Sequence, residues 1–393
     1  MSSKTLNQQL VKKRNKTFVL EIVKKQSPIS RAKIAEITKL NKGTVSSLVN
    51  ELIEENLATE TGLGKSSGGR RPVMLLFNAQ AGYSIGIDIG VNYIFGVLTD
   101  LNGKIIKEKQ RQLSEHNFYE VYELVTDLIR SLKTFMKASP YGLIGVGIGV
   151  PGIVHNNGDI LLAPNLNWRD IPLKEMIEKE FNVPTFIENE ANAGAYGEKI
   201  YGIGKGHKNI TYISAGIGIG VGLIIDDKLY RGNNGFSGEM GHMTIQLNGK
   251  TCQCGKRGCW ELYASEKAII EKAVELGIEN GNLNLEKLIK LAEENDPIAI
   301  QTFEVIGEFL GLGISNIINT FNPEQIIIGN RIAKANKWLN ESLEKQIKNN
   351  LFSFYHQELS IQFSSLNTYS TALGMCAFSI ERFLEINLST EAK

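Results

Sequence analysis

The sequence predicts a small winged helix-turn-helix head followed by a two-lobed α/β body built from a duplicated unit. Three observations carry that prediction. Residues 1–77 hold 14 Lys and Arg against 6 Glu, a net +8, whereas residues 78–393 hold 29 basic against 36 acidic residues, a net −7. The overall charge of +1 therefore conceals a cationic module fused to an anionic one. Within the basic segment, three short helical patterns precede two strand-like runs that flank a Gly/Ser tip. Beyond Tyr83, β-rich runs alternate with helical ones, and a strand meander opens twice, at Tyr83 and at Asn209. Such charge asymmetry marks a polyanion-binding segment, for which nucleic acid is the commonest cellular partner.

Composition narrows the class. A chain of 393 residues is long enough for two or three domains that need no covalent staples. Its 42% hydrophobic and 22% charged content excludes wholesale disorder. The polar stretch Met1–Gln9 lacks the apolar core of a secretory signal, and no uninterrupted apolar run reaches the ~18–20 residues of a membrane span. The expectation is a soluble, cytoplasmic protein with no membrane partner.

The head reads as follows. From Thr17 a first helix carries Phe18, Ile22 and Val23 on one face and stops near Ser27-Pro28. Ser30 is placed to N-cap a second helix from Arg31 to Lys39, with Ile34 and Ile37 inward. Asn41 is placed to cap a third, Lys42–Asn56, whose Val45, Leu48, Val49, Leu52 and Ile53 form an i, i+3, i+4, i+7, i+8 stripe. The opposite face begins with small, polar or cationic residues and turns acidic only at Glu51, Glu54 and Glu55, the polarity of a helix that reads DNA with its first turns. The Gly/Ser tip between Leu57–Gly62 and Val73–Phe77 reads as a wing. The candidate DNA contacts are Arg31, Asn41, Lys42, Thr44, Ser46, Ser47 and Asn50 on the helices, and Lys65, Arg70 and Arg71 on the wing. A plain three-helix bundle with a charged linker is the bland alternative.

In the body, Tyr83–Asp88, Tyr93–Thr99 and Lys104–Gln110 form the first meander, followed by a helix Phe118–Lys137 and strands Leu143–Val150 and Val183–Ile187. A helix Asn189–Tyr201 precedes the second strand pair, Asn209–Ser214 and Val221–Ile225. Long helical patterns cover Ser265–Glu294 and Ile298–Phe321, then a strand Gln325–Gly329 and a helix Lys334–Asn349. The expected division is 1–77 for the head, 78–200 for one lobe and 201–393 for the other, with a ligand cleft between the lobes. His242, Cys252, Cys254 and Cys259 offer one imidazole and three thiolates within eighteen positions, the makings of a closed tetrahedral zinc site of structural type. Cys376, alone in an apolar helical context, reads as core.

Ile85-Gly-Ile-Asp-Ile-Gly, Gly149-Val-Pro-Gly, Ile187-Glu-Asn-Glu-Ala-Asn-Ala, Gly238-Glu-Met-Gly-His-Met and Cys252-x-Cys-Gly-x-x-x-Cys-x-Glu261 occur in that order. Together they resemble the ROK family, which groups bacterial sugar kinases with sugar-responsive repressors. Gly68-Gly-Arg-Arg-Pro and Asn165-Leu-Asn-Trp-Arg-Asp resemble its repressor branch. The resemblance implies an actin-like, ribonuclease H-like duplicated sugar-kinase fold. It also implies sugar binding by Asn165, Asn189, Glu190, Glu239, His242 and Glu261, with Trp168 either a platform for the ring or a core residue.

Against the kinase branch, four positions depart. Val91-Asn92-Tyr93 replaces a Gly-Thr, Ser214-Ala215-Gly216 replaces Gly-Thr-Gly, Gly329-Asn330 replaces Gly-Gly, and Glu190 occupies the catalytic Asp position. A carboxylate displaced by one methylene costs on the order of a hundredfold in rate, so no catalytic residue is expected. The reading is a homodimeric repressor on operator DNA, released by an aldose, xylose foremost. A catalytically active or bifunctional sugar kinase is the alternative.

Overall fold

The computed structural model describes residues 3–63, 72–352 and 359–387. In the head, α1 (Ser3–Gln26), α2 (Arg31–Thr38) and α3 (Lys42–Glu54) precede β2 (Ala58–Leu63) and β3 (Val73–Phe77), and a two-residue strand β1 (Ile29–Ser30) completes a sheet of order β1-β3-β2. Both expected caps form: Ser30 Oγ accepts from Lys33 N at 3.2 Å and Asn41 Oδ1 from Thr44 N at 2.7 Å. The core is the inward stripe of α3 (Val45, Leu48, Val49, Leu52) packed with Ile34, Leu57 and Leu75.

α1 departs from the sequence reading in two ways. It starts at Ser3 rather than Thr17, and Phe18 is 44% exposed while Val19 and Leu20 take the inward face with Ile22 and Val23. Leu10 and Val11 ahead of Thr17 are exposed, so they extend no buried stripe. Lys16, only 2% exposed, reaches Glu55 Oε1 at 2.6 Å and Glu51 Oε2 at 3.3 Å and so fastens α1 to the C-terminal turns of α3. The wing residues Lys65, Arg70 and Arg71 lie outside the described residues.

The body consists of two copies of one sheet plan. The first has β4 (Tyr83–Ile89), β5 (Tyr93–Asp100), β6 (Ile105–Gln112), β7 (Leu143–Val150) and, after a small sheet of β8 (Ile153–Val154), β9 (Ile160–Ala163) and β10 (Trp168–Ile171), β11 (Thr185–Asn189). Its order is β11-β7-β4-β5-β6, with α4 (Phe118–Lys133) leading into β7 and α5 (Leu173–Phe181) into β11. The second has β12 (Ile210–Ala215), β13 (Ile219–Ile225), β14 (Lys228–Leu229), β15 (Gln325–Gly329) and β16 (Ser360–Phe363) in the order β14-β13-β12-β15-β16. In each, a three-stranded antiparallel meander continues into two parallel strands.

Helices α7 (Glu261–Ala264), α8 (Glu266–Glu275), α9 (Leu285–Glu293) and α10 (Pro297–Phe321) fill the β14–β15 connection, and α11 (Asn336–Asn350) the next. The expected single helix Ser265–Glu294 is thus two helices, split around the Gly277–Asn284 turn, where Gly277 and Asn282 adopt positive φ. α10 is apolar and long enough to cross a membrane, but Ile306, Leu310, Ile314 and their neighbours form the second lobe's core.

The two helices that follow the last strand of each copy cross over. α6 (Glu190–Ile200) packs on β12 and β13, and α12 (Ser370–Asn387) packs on β4 and β7. They also pack on each other so closely that a Cβ at Gly374 would lie 1.8 Å from Ala193 O, and one at Gly197 would lie 2.0 Å from Ser370 O. A lobe boundary at residue 201 therefore misplaces both helices: each belongs by packing to the other lobe. Chain order does not encode such an exchange.

Candidate functional site

A cavity of about 600 Å³ lies between the lobes. The first lobe contributes Asp88, the turn Gly90–Tyr93, Pro151–Ile153, Asn165 and the β11–α6 junction; the second contributes Gly216–Gly220, Gly238, Glu239, His242, Glu261, Asn330 and Arg331. All six residues expected to bind sugar, Asn165, Asn189, Glu190, Glu239, His242 and Glu261, line this one space. Trp168 does not. It is 3% exposed, donates from Nε1 to His116 O at 3.0 Å and packs edge-on against Phe118, as a core residue.

The sugar-side residues are held differently. Asn189 spends most of its carboxamide on the fold, since Oδ1 caps α6 through Ala191 N (2.8 Å) and Asn192 N (3.2 Å) and Nδ2 donates to Gly152 O at 3.0 Å. Glu190, in the first turn of α6, is the reverse case: its Oε2 is buried with no hydrogen-bond partner. Burial, reinforced by the charges of Asp88 and Glu239, pushes its carboxyl up to about 8. A polar atom buried without a partner is costly, and such cost is tolerated where a ligand will supply the missing contact. Asp88 is also pushed up by burial, to about 7, although Tyr93 donates to its Oδ2 at 2.7 Å.

His242 stands between the cavity and the cysteines. Its Nδ1 is 3.2 Å from Glu261 Oε1 and 3.6 Å from Cys252 Sγ, while Nε2 faces Glu239 Oε2 at 3.9 Å. Cys254 and Cys259 bring their sulfurs to 3.6 Å of each other, and the four potential ligand atoms of His242, Cys252, Cys254 and Cys259 all lie within 4.8 Å. Metal–sulfur bonds of about 2.3 Å in a tetrahedron imply ligand–ligand edges of about 3.8 Å, so the group could hold one metal ion. Gly258, at φ +73°, lets the knuckle fold tightly, since a Cβ there would lie 1.7 Å from Gln246 O. Trp260, fully buried with Nε1 bonded to Phe309 O at 2.9 Å, docks the knuckle on α10.

On the opposite side of the cavity, the departures from the kinase pattern acquire a structural meaning. The Tyr93 ring lies against the first glycine turn so tightly that a Cβ at Gly90 would be 2.3 Å from it. Asn330, at φ +65°, donates from Nδ2 to Ser214 Oγ at 3.0 Å and accepts from Arg331 N at 2.8 Å. A Cβ at Gly216 would lie 3.0 Å from that same nitrogen. Arg331 in turn pairs with Glu266 (3.2 Å) and Glu286 (2.9 Å). Protein side chains bonded to one another thus stand where two glycine turns would otherwise be bare. Tyr93 was legible in the sequence as a bulky replacement, but the Asn330–Ser214 bridge was not, because 116 residues separate its partners.

In the head, Lys42, Gly43, Ser47 and Asn50 are exposed on α3, and Thr44 and Ser46 half-buried. Asn41 is exposed too, with Oδ1 committed to its cap. Arg31, also among the expected contacts, is engaged by Asn50 and Glu60. Sequence reasoning missed Lys16 and Tyr141, which hold the head in place. A lysine in register with Val19, Leu20 and Val23 was the available signal for the first.

A duplicated two-lobed body with a cleft lined by carboxylates and carboxamides, a His–Cys cluster on its wall and a winged head defines a sugar-kinase-like protein fused to a helix-turn-helix module. Residues 84–382 match the model of the ROK family, and the chain belongs to that family. Its relatives include the xylose repressor of Bacillus spizizenii, 50% identical over 97% of this chain and 98% of that one, and the xylose repressor of Bacillus subtilis, 48% identical over the same shares. Among solved structures, a ROK family transcriptional regulator homologous to the Escherichia coli MLC protein has a TM-score of 0.82 at 26% identity, covering 97% of this chain and 100% of that one. A ROK family glucokinase from Streptomyces griseus, in complex with glucose and AMPPNP, has a TM-score of 0.70 at 27% identity, covering 76% and 99%.

Proposed function

We propose that this chain is a cytoplasmic, sugar-responsive repressor that acts as a homodimer on operator DNA, with xylose as its effector and no kinase activity. The observation that carries the proposal is the contrast between the two sides of the cleft: Glu190, Glu239, His242 and Glu261 gather on one, while Tyr93 and the Asn330–Ser214 bridge stand on the glycine turns of the other. Polyols are bound by groups that donate and accept at several hydroxyls. Glu190, Glu239, His242 and Glu261, with Asn165 and the spare hydrogen of Asn189, make such a set. Phosphoryl transfer needs donors cradling the phosphates and a base on the acceptor hydroxyl. Here Tyr93 and Asn330 stand on the turns that would form the cradle, and burial pushes the Glu190 carboxyl up to about 8.

The metal is assigned as zinc, held by His242, Cys252, Cys254 and Cys259. Three thiolates and an imidazole leave no position for a reacting water, so a bound ion supplies structure rather than catalysis. The chain's own contribution is to keep His242 oriented, one ring nitrogen toward the cysteines and the other toward Glu239 and the sugar. Sugar contacts from both lobes draw the cleft together, change the relation of the two heads and weaken operator affinity by a coupling on the order of 1–3 kcal/mol. Lys42, Thr44, Ser46, Ser47 and Asn50 face the major groove, with Lys65, Arg70 and Arg71 as wing contacts.

The test is a gel shift on the xylose-gene promoter with and without pentose, beside an assay for ATP turnover with several aldoses. Release by xylose without turnover supports the reading. Turnover at ordinary enzyme rates, or a grip on DNA unchanged in saturating pentose, refutes it.

A further inference from the structure

The head contains a polar contact that joins three of its elements. Arg31, the first residue of α2, donates from Nη2 to Asn50 Oδ1 on the outer face of α3 at 3.0 Å, and from Nη1 to Glu60 Oε1 on the wing strand β2 at 2.7 Å. Its side chain is 26% exposed, and Asn50 is exposed. A guanidinium has only donors, so it fixes the carboxamide with the oxygen toward Arg31 and the nitrogen turned away. Glu60 anchors the guanidinium from the other side. Asn50 lies on the face of α3 that carries Ser46 and Ser47, at the i+4 and i+3 spacings that make neighbours on a helix.

That constraint bears on what Asn50 can read. In the major groove an asparagine recognises adenine by using both ends of its amide, accepting from N6 and donating to N7. Guanine presents two acceptors there, N7 and O6, one for each hydrogen of the amide nitrogen, whereas thymine presents only O4 and adenine sets the N6 donor beside its N7. With the oxygen engaged by Arg31, the end of Asn50 left for the groove is a donor. We infer that Arg31 and Glu60 are positioning residues that make Asn50 a donor-only reader, so that each half-site carries a guanine rather than an adenine opposite it. The inference rests on the operator-reading role proposed for the head. It assigns Arg31 to orienting a base contact rather than to holding a phosphate.

The experiment is selection from a randomised duplex pool with the full-length protein, followed by affinity measurements on the enriched site across a salt series. Wild-type protein is expected to enrich one guanine per half-site at which Asn50→Ala reduces discrimination against adenine by about tenfold. Arg31→Gln and Glu60→Gln are both expected to relax that same position to within about threefold, with the slope of log affinity against log salt unchanged.

A phosphate contact behaves differently: its loss would lower that slope by about 0.9 per head and leave base preference intact. That result for Arg31→Gln overturns the inference, as does an adenine at the Asn50-sensitive position. Glu60→Gln leaves Arg31 and Asn50 in place and guards against a folding defect in the arginine variant. If it keeps full guanine preference, the inference also falls. A pool in which wild-type protein enriches no sequence removes the operator-reading role itself.

Discussion

Replacing Glu190 by Gln should stabilise the sugar-free protein while removing part of its pH dependence. The folded chain holds the Glu190 proton until about pH 8, whereas a carboxyl in the unfolded chain releases it near 4.5. Below pH 4.5 both states are protonated and the contribution is fully present; above it, stability is lost as pH rises through the folded value. Each unit of that window is worth about 1.4 kcal/mol, so from pH 6 to pH 8 the wild type should lose about 2 kcal/mol through this residue alone. For a body of this size that corresponds to a fall in Tm of roughly 4 °C. Asp88, raised to about 7, adds to the loss at the lower end of the range. Glutamine keeps the shape without the charge, so its pH profile should be flatter and its Tm at pH 8 higher than wild type. Differential scanning fluorimetry between pH 6 and 8 measures this above the range where protonated thiols would release a metal. Glu190→Ala, which removes both polar atoms, should weaken the pentose-induced Tm shift by about tenfold in apparent affinity. A Gln variant less stable than wild type at pH 8, with the slope unchanged, would refute the argument that this carboxyl is buried at a cost.

Four further outcomes follow from the same geometry. Cys252→Ser should reduce bound zinc below one ion per chain by elemental analysis and blunt the xylose-induced Tm shift, because His242 loses its anchor. Lys16→Met removes the buried cation shared by Glu51 and Glu55 and leaves Glu51 its exposed partner Lys12, so the head should lose about 3 kcal/mol by chemical denaturation and DNA binding should fall, while the sugar-induced Tm shift persists. Tyr141→Phe removes the 2.7 Å bond to Glu55 O, about 1 kcal/mol, and should raise the xylose concentration needed to release operator in a gel shift without altering sugar affinity of the DNA-free protein measured by calorimetry. The double variant Tyr93→Thr, Asn330→Gly should bind a non-hydrolysable ATP analogue more tightly than wild type does by calorimetry.

Much of this architecture was legible because local chemistry and tertiary structure agree. Ser30 and Asn41 cap helices where capping residues precede an apolar stripe, and the two meanders open where β-rich runs follow turn residues. The cysteine cluster was readable because its ligands are close in sequence. What failed shares a different cause. The early turns of α1 leave Leu10 and Val11 exposed among Gln, Lys and Arg, so no buried stripe marks them. Gly277–Asn284 interrupts a helical pattern with residues that tolerate positive φ, and the pattern alone did not show where the break fell. Trp168 has the same composition cue whether it platforms a sugar or fills a core, and only its bond to His116 O decides. The exchange of α6 and α12 between lobes is a property of packing over some 180 residues of separation, which no window along the chain contains.

That exchange also bears on how a sugar-filled cleft reaches the head. α12 begins beside the cavity, where Thr371 Oγ1 donates to Glu190 O at 3.1 Å and Ser370 Oγ to Glu198 Oε1 at 2.9 Å. Twelve residues on, about 18 Å along a helix, the Phe383 ring meets Tyr141 at 4.9 Å, and Tyr141 bonds the backbone just past the C-terminus of α3. Glu190 opens α6, which rides on the second lobe, while α12 lies on the first. A ligand that draws Glu190, Glu239, His242 and Glu261 toward Asn165 and Pro151 on the first lobe would load the contact between these two helices. Their backbones meet at Gly374 and Gly197 with no room for a side chain, so the pair has little slack in which to absorb the motion. On the proposed function, closure would then be passed toward the end of α12, where Phe383 meets the tyrosine bonded to Glu55 O.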